Sequence, residues 1–318
     1  MIKKSATKRI IIASIALLIL LITYMFPTTN GSNNINQSLS YIEPNKTTIY
    51  LVDNSNMVAR VKTITKENKD TLKKATEIIN ALIINSQASK YNPSGFKAII
   101  PEGTKVLSIS FKENILKINF NEKFISIDKN NEEKMLEALI YSLTEISDIK
   151  GIMIFVNNNI LEELPNSKTK LPDVLDRKYG INKIYEIDDV KNTSATTIYY
   201  LSEFENTKYY TPVTFINNDS EDKIEVIIEK LKSSPINQTN LMSYLNAGAV
   251  VEDYDYTEGV LKLNFNELLL SDITEKNILE EVVYTIGLSM DNIYDDLEKV
   301  SFYVGNDEIY TLDINDMK

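Results

Sequence analysis

The chain has no cysteine and no histidine. Without cysteine there is no disulfide framework, no thiol nucleophile, no Cys-ligated zinc and no lipid-modified Cys anchor. Without histidine the usual general base of Ser/His/Asp and Cys/His mechanisms is gone, and so is the commonest transition-metal ligand. Most hydrolase and metalloenzyme readings end there. Carboxylate chemistry, Ser/Lys pairs and oxygen-ligated calcium remain open. Tryptophan is also absent, and glycine is scarce, with nine in 318 residues and no GxxxxGK[ST] or GxGxxG run. Glycine-rich phosphate loops are therefore not expected.

What remains is ordinary globular composition, 43% hydrophobic and 25% charged, with length for one to three domains. The net charge is −11. Met1–Arg9 holds Lys3, Lys4, Lys8 and Arg9 and no acid, and the seventeen residues Ile10–Phe26 carry no charge. As a helix this run reaches about 26 Å, the short end of a membrane span. The basic flank predicts a cytoplasmic N-terminus and an extracytoplasmic remainder. The core is longer than that of a typical cleaved signal peptide, and no small-x-small site follows it, so a signal anchor at residues 1–26 is the favoured reading over cleavage. Outside the flank, 30 basic residues face 45 acidic ones, a balance of −15. That disfavours nucleic acid and anionic headgroups as partners.

Residues 27–46 are polar and read as a flexible tether. Beyond them the sequence repeats itself. Thr47-Thr48-Ile49-Tyr50 recurs as Thr196-Thr197-Ile198-Tyr199, and the seven residues from Leu116 to Glu122 recur from Leu261 to Glu267 with one conservative change. Pro101-Glu102-Gly103 matches Asn246-Ala247-Gly248, the stretch Glu137–Ser142 matches Glu280–Thr285, and Ile154–Val156 matches Phe302–Val304. Five matches in the same order predict two copies of one module, 47–160 and 196–313, joined by a linker over 161–195.

Hydrophobic periodicity predicts a strand over Thr47–Asp53, a second extended piece over Met57–Thr63, and a helix over Asp70–Ile84. A hairpin of Lys105–Phe111 and Leu116–Phe120 follows, then a helix capped by Asn130 and Glu133 that runs to Ile146, then a strand over Gly151–Val156. In the second copy the equivalents are a helix over Asp222–Leu231, a hairpin strand over Val260–Phe265, a helix capped by Asp272 and Glu275, and a strand over Val300–Val304. The predicted fold class is α+β: two tandem β-α-β-β-α-β modules, each a mostly antiparallel sheet with two helices on one face, after an N-terminal transmembrane helix. At roughly 115 residues each, the modules are long enough to hold separate cores.

Thr48–Leu51, Ile100-Pro101-Glu102-Gly103-Thr104, Ile115–Phe124 and Leu139–Thr144 together resemble the GerMN domain, which occurs in tandem in GerM-like sporulation and spore-germination proteins. Leu171–Tyr185 is similar to the L-D-R-x-x-G-I-N-K-x-Y stretch that joins the two domains of that family. The resemblance covers residues 47–313. It departs at Asn246, where the loop proline is replaced, and at Gly287, which stands for a threonine of the second helix. It also departs in the missing lipoprotein cysteine, whose task falls to the apolar helix. The resemblance implies a role in sporulation or germination.

No catalytic, cofactor-binding or metal-binding residue is assigned. Ser126/Lys129, Ser147/Lys150 and Ser167/Lys170 have Ser-x-x-Lys spacing but fall at helix edges or in the linker. Glu122 and Glu267 are equivalent yet lie in different modules, which is poor placement for an acid–base pair. The acidic runs at Asp128–Glu133 and Asn217–Asp222 precede helices, and capping explains them better than calcium. The order of elements also fits an RNA-recognition module, but Lys117 and Asn119 would face outward on its central strand where aromatics are needed. Tyr209 and Tyr210 are the candidate partner contacts, tyrosine being enriched at interfaces. The expected function is that of a non-enzymatic, membrane-anchored, extracytoplasmic binding or assembly protein with no cofactor. Its partners would be other proteins or, as the alternative reading, the peptidoglycan of the cell wall; a carboxylate-only hydrolase has no constellation behind it.

Overall fold

The computed structural model describes residues 4–25, 45–66, 68–187, 193–218, 222–235, 240–294 and 296–317. It divides into two units, Met1–Glu43 and Pro44–Lys318. In the first, helix α1 spans Lys4–Met25. Its described side chains from Ile12 to Ile22 are exposed. Among the described residues no helix is long and apolar enough to cross a membrane, so the span expected over Ile10–Phe26 is not supported. Phe26 and tether residues 27–44 lie outside the described residues.

The second unit is α+β. Strands β1 (Lys46–Val52) and β2 (Val58–Ile64) form an antiparallel hairpin. Helix α2 (Thr71–Leu82) follows, its N-terminal amides capped by Asp70, whose carboxylate accepts from the Lys73 amide. A second antiparallel hairpin, β3 (Val106–Lys112) and β4 (Ile115–Phe120), leads to α3 (Glu132–Leu143). β5 (Gly151–Val156) then pairs parallel with β4, and the two-residue β6 (Asn159–Ile160) closes the sheet in the order β3-β4-β5-β6. Through β7 (Ile184–Glu186) the chain enters the second copy. There β8 (Ser194–Phe204) and β9 (Thr207–Asn217) form a long antiparallel hairpin. α4 (Lys223–Leu231), β10 (Val251–Thr257), β11 (Val260–Phe265), α5 (Glu280–Met290), β12 (Lys299–Val304) and β13 (Asp307–Asp313) repeat the plan, with a sheet β10-β11-β12-β13.

Alternation along β4 explains the inner face of the first of these sheets. Leu116, Ile118 and Phe120 are fully buried while Lys117 is exposed, as a half-buried strand requires. Asn119 is buried rather than open to solvent. Its amide donates to Asn158 and its carbonyl accepts from the Asn158 backbone, at 2.7 and 3.0 Å, which pins the β5–β6 turn.

The expected single sheet per module does not form. The first hairpin of each copy leaves its own copy's sheet and joins its counterpart. β2 pairs antiparallel with β9 at Arg60 and Tyr210, and β7 adds parallel to β9 at Ile184 and Phe215. The result is one five-stranded sheet drawn from both copies and from the joining segment. α3 packs on β1, and α5 packs on β8. One continuous set of buried side chains runs from Ile49 through Leu171, Leu175 and Ile181 of the joining segment to Met317. The copies therefore share a core instead of holding two.

Two expected caps are replaced. α3 begins at Asn131 with no side-chain cap bond, while Asp128 closes the preceding turn on Asn130 and Asn131. Asp272 accepts from the Thr274 and Glu275 amides in a turn of its own, and α5 begins later, at Glu280. The Asp222 cap forms as expected, on the Ile224 amide.

Gly287 sits in α5 where β13 and the C-terminal turn cover the helix. A Cβ there would meet Leu312 Cδ2 at 2.3 Å, and Leu312 is itself buried. Helix propensity alone would favour Gly287→Ala by about 1 kcal/mol. Overpacking reverses the sign, and we expect a net loss of about 1–2 kcal/mol in urea unfolding.

Candidate functional site

The seam between the two copies holds a buried polar cluster. Tyr50 and Tyr199, partners in the sequence repeat, donate their backbone amides to Ser142 Oγ and Ser289 Oγ at 2.8 and 2.9 Å. Their hydroxyls meet each other at 2.8 Å. Equivalent residues in mutual contact mark an approximate two-fold relation, here passing between β2 and β9. This geometry also corrects the repeat. Ser142 corresponds to Ser289 rather than to Thr285, a shift of about one helical turn. Gly287 then stands opposite Ile140 and not opposite a threonine.

The symmetry breaks at Glu145. Its Oε1 accepts from the Tyr50 hydroxyl and from Arg177, both at 2.8 Å, and Arg60 approaches Oε2 at 3.5 Å. Because Tyr50 spends its proton on Glu145, Tyr199 is the donor between the two hydroxyls. Burial pushes the Glu145 carboxyl up, but Arg60 and Arg177 outweigh it and hold it at about 2. Burial likewise opposes the charge on Arg60, and the Glu145 carboxylate more than compensates, so Arg60 stays charged. In the second copy Asn292 takes the place of the carboxylate.

Arg177 comes from the joining segment and ties both copies together. It donates to Thr144 and Glu145 at the end of α3 and to Asn292 beyond α5, and its guanidinium lies 5.2 Å over the Tyr141 ring. Asn182, five residues on, works the same seam from the other side. Its amide donates to the Val58 and Pro212 carbonyls at 2.8 and 2.7 Å, and its Oδ1 accepts from the Val58 amide at 2.9 Å. Its own backbone N–H donates to Glu137. Burial pushes the Glu137 carboxyl up to about 7, against the pull of Lys183 at 3.3 Å.

Tyr209 and Tyr210 also belong to this seam. Tyr209 is buried, donates its hydroxyl to Asp53 at 3.0 Å and stands edge-on to Phe96. Tyr210 is half-buried at the β2–β9 pairing and stacks near Tyr284. Both rings make their contacts within the chain. Sequence reasoning singled out neither Glu145 nor Arg60, because an acid after a helix and a basic residue in a strand look like solvated positions. Arg177 was legible only as part of a joining motif.

For chemistry, the cluster offers locked charges and no activated nucleophile. Lys170 is bound to Glu163 at 2.9 Å and is not free to serve Ser167 as a base. Glu122 and Glu267 are exposed in short turns after the hairpins. Among the described residues no group of three or more acids is placed to hold a metal ion.

Comparison with known proteins fits this architecture. The family model described as "Germane: Sporulation and spore germination" matches residues 48–162 and again 197–310. The chain belongs to this family. The two matches begin 149 residues apart, the spacing of Tyr50 and Tyr199. The spore germination protein GerM of Bacillus subtilis (strain 168) is 29% identical over 247 residues, covering 76% of this chain and 67% of that protein. The solved tandem GerMN domains of the sporulation protein GerM from Bacillus subtilis superpose with a TM-score of 0.75 at 27% identity, over 83% of this chain and 92% of that one. The family assignment thus extends over both copies.

Proposed function

We propose that this Germane-family chain is a membrane-attached, non-catalytic assembly protein with a GerM-like role in sporulation or spore germination. Its compact unit lies outside the cytoplasm and holds protein partners through open strand edges. The observation that carries this reading is the pair of equivalent edges β3 and β10. Each is an outer strand of its four-stranded sheet, and each is largely solvent-facing. An unpaired edge is a template for an added strand.

The two edges differ in chemistry, which supports different partners. β10 carries Glu252, Asp253 and Asp255, charges that guard an edge against indiscriminate pairing. β3 carries Leu107, Ser108 and Ser110, with Leu107 51% exposed, and is the more receptive of the two. Attachment rests on α1: a run of exposed Ile and Leu behind a basic flank favours insertion into lipid from the cytoplasmic face.

The test places a photo-crosslinking residue at Ser110 or at Tyr254 in the full chain and follows sporulating cells. The reading expects a discrete protein adduct from Ser110, reduced at least severalfold by Leu107→Lys, and recovery of the chain in the membrane fraction. Adducts from neither edge, with the protein instead retained on isolated cell wall, would favour the wall-recognition alternative.

A further inference from the structure

We propose that a cleft between β1 and the start of α2 is a binding site for a phosphate group. This site is independent of the strand-edge reading. The cleft has a volume of about 200 Å³, room for several water-sized groups. It is lined by Lys46, Lys66 and Lys74, with Thr48 in its wall and Glu145 at its floor.

Three observations point to an anion. First, Lys46, Lys66 and Lys74 line one concavity, and none of the three has an ion-pair partner among the described residues. In a chain of net charge −11, three unpaired lysines around one concavity run against the general balance. Second, Thr48 is 4% exposed, and its Oγ1 is a buried hydroxyl with no hydrogen-bond partner. An unmet buried hydroxyl is costly unless a ligand or water meets it. Third, the floor is not repulsive. Both Glu145 oxygens face cations, Oε1 towards Arg177 and Oε2 towards Arg60, so carboxylate and guanidinium groups together carry a net positive charge.

The shape of the donor set selects phosphate over carboxylate. A planar carboxylate is best met by the two-pronged arginine fork, and here both guanidinium groups are turned to Glu145 below the floor, with only the Arg60 Nε left without a partner. Lysines act as point charges with freely turning donors, which suits a tetrahedral oxyanion. The local field also weighs on the neighbouring strand. Lys62, across from Thr48 in the β1–β2 register, has its ammonium pushed down by burial and by the charges of Arg60 and Lys46. At the rim, the Glu77 carboxylate accepts from the Lys66 amide and from the Asn68 side chain, and Asn45 donates to Thr65.

The test is calorimetric titration of the full chain in detergent, at constant ionic strength, with inorganic phosphate and with glycerophosphoglycerol, a phosphodiester headgroup without its lipid. Saturable binding of at least one is expected. Tighter binding of the diester assigns the site to a headgroup or polymer phosphate, and tighter binding of inorganic phosphate to the free dianion. The double variant Lys66→Gln/Lys74→Gln, altered only at the cleft's lysines, should weaken binding about tenfold or more. Thr48→Val should weaken it severalfold while leaving the melting temperature of the ligand-free protein unchanged or raised, because no internal hydrogen bond is lost. Absence of saturable binding by either probe, or equal affinity in the double variant, would overturn the assignment.

Discussion

Glu145→Ala is expected to lower stability by about 3–5 kcal/mol, the cost of leaving buried charge without its partner. The substitution strands two guanidinium groups, Arg60 and Arg177, in a seam where Arg60 is only 8% exposed. In a protein of this size the loss corresponds to a fall in Tm of about 10 °C. Arg60→Met in the same background should return part of that loss, since it removes one of the two unmatched charges. The pH dependence follows from the same geometry. The carboxyl titrates near 2 in the folded chain and near 4.3 when unfolded. Its contribution is therefore complete above about pH 4.3 and is lost as the pH falls towards 2. The wild-type chain should lose more stability between pH 5 and pH 2.5 than Glu145→Ala does, which urea titrations at the two pH values read directly.

Asn182→Asp is expected to cost about 3 kcal/mol at neutral pH, and Asn182→Ala somewhat less. The asparagine amide fills two carbonyls, of Val58 in one copy and Pro212 in the other. Alanine leaves those groups unsatisfied at about 1–3 kcal/mol each, offset where water can enter. Aspartate is worse because it sets a carboxylate oxygen against the same two carbonyls, beside Glu137, whose carboxyl is already pushed up by burial. Acidification to about pH 5 should restore part of the loss in the aspartate variant, because the protonated acid can again donate. An equal cost for both substitutions at every pH would show that the seam is not closed by this side chain. Asn182 has a φ of 47°, a backbone state asparagine tolerates better than most residues, so the alanine variant carries a small backbone penalty as well.

These two positions also show where the sequence was readable. Periodicity placed the local elements well: β5 and β11 begin and end where the apolar alternation does, and α2 is bounded by the Asp70 cap. The duplication was visible because β-hairpin cores repeat in type and spacing. What alternation does not encode is which sheet a strand joins. Thr48 to Tyr50 read equally well as a member of its own module's sheet or of a shared one, because both bury the same face. The decision is made by tertiary partners a hundred or more residues away, such as the Tyr50–Tyr199 hydroxyl contact.

The seam residues were missed for a related reason. Glu145 follows a helix and Arg60 alternates with apolar neighbours, so each has the local signature of a solvated side chain, and only their convergence reveals a buried set. The helix repeat was misaligned because two short matches, Ser142 with Thr285 and Ser142 with Ser289, are both chemically sensible. The backbone amides of Tyr50 and Tyr199 choose the second. Of the two expected contact residues, Tyr209 reaches across the copies to Asp53 and Phe96, whereas the ring of Tyr210 stacks near Tyr284 of its own copy.

For function, the consequence is that the strand edges β3 and β10 are carried on one body rather than on two hinged ones. On the proposed reading, a partner at one edge would be held in a fixed relation to a partner at the other, with no linker to absorb the difference. Native-state hydrogen exchange on the full chain measures this most directly. If the copies are one cooperative body, amides of β1 and β2 and those of β8 and β9 will exchange through the same global opening, and Glu145→Ala will lower their protection together. Two distinct opening free energies, with only the first copy responding to the substitution, would contradict it.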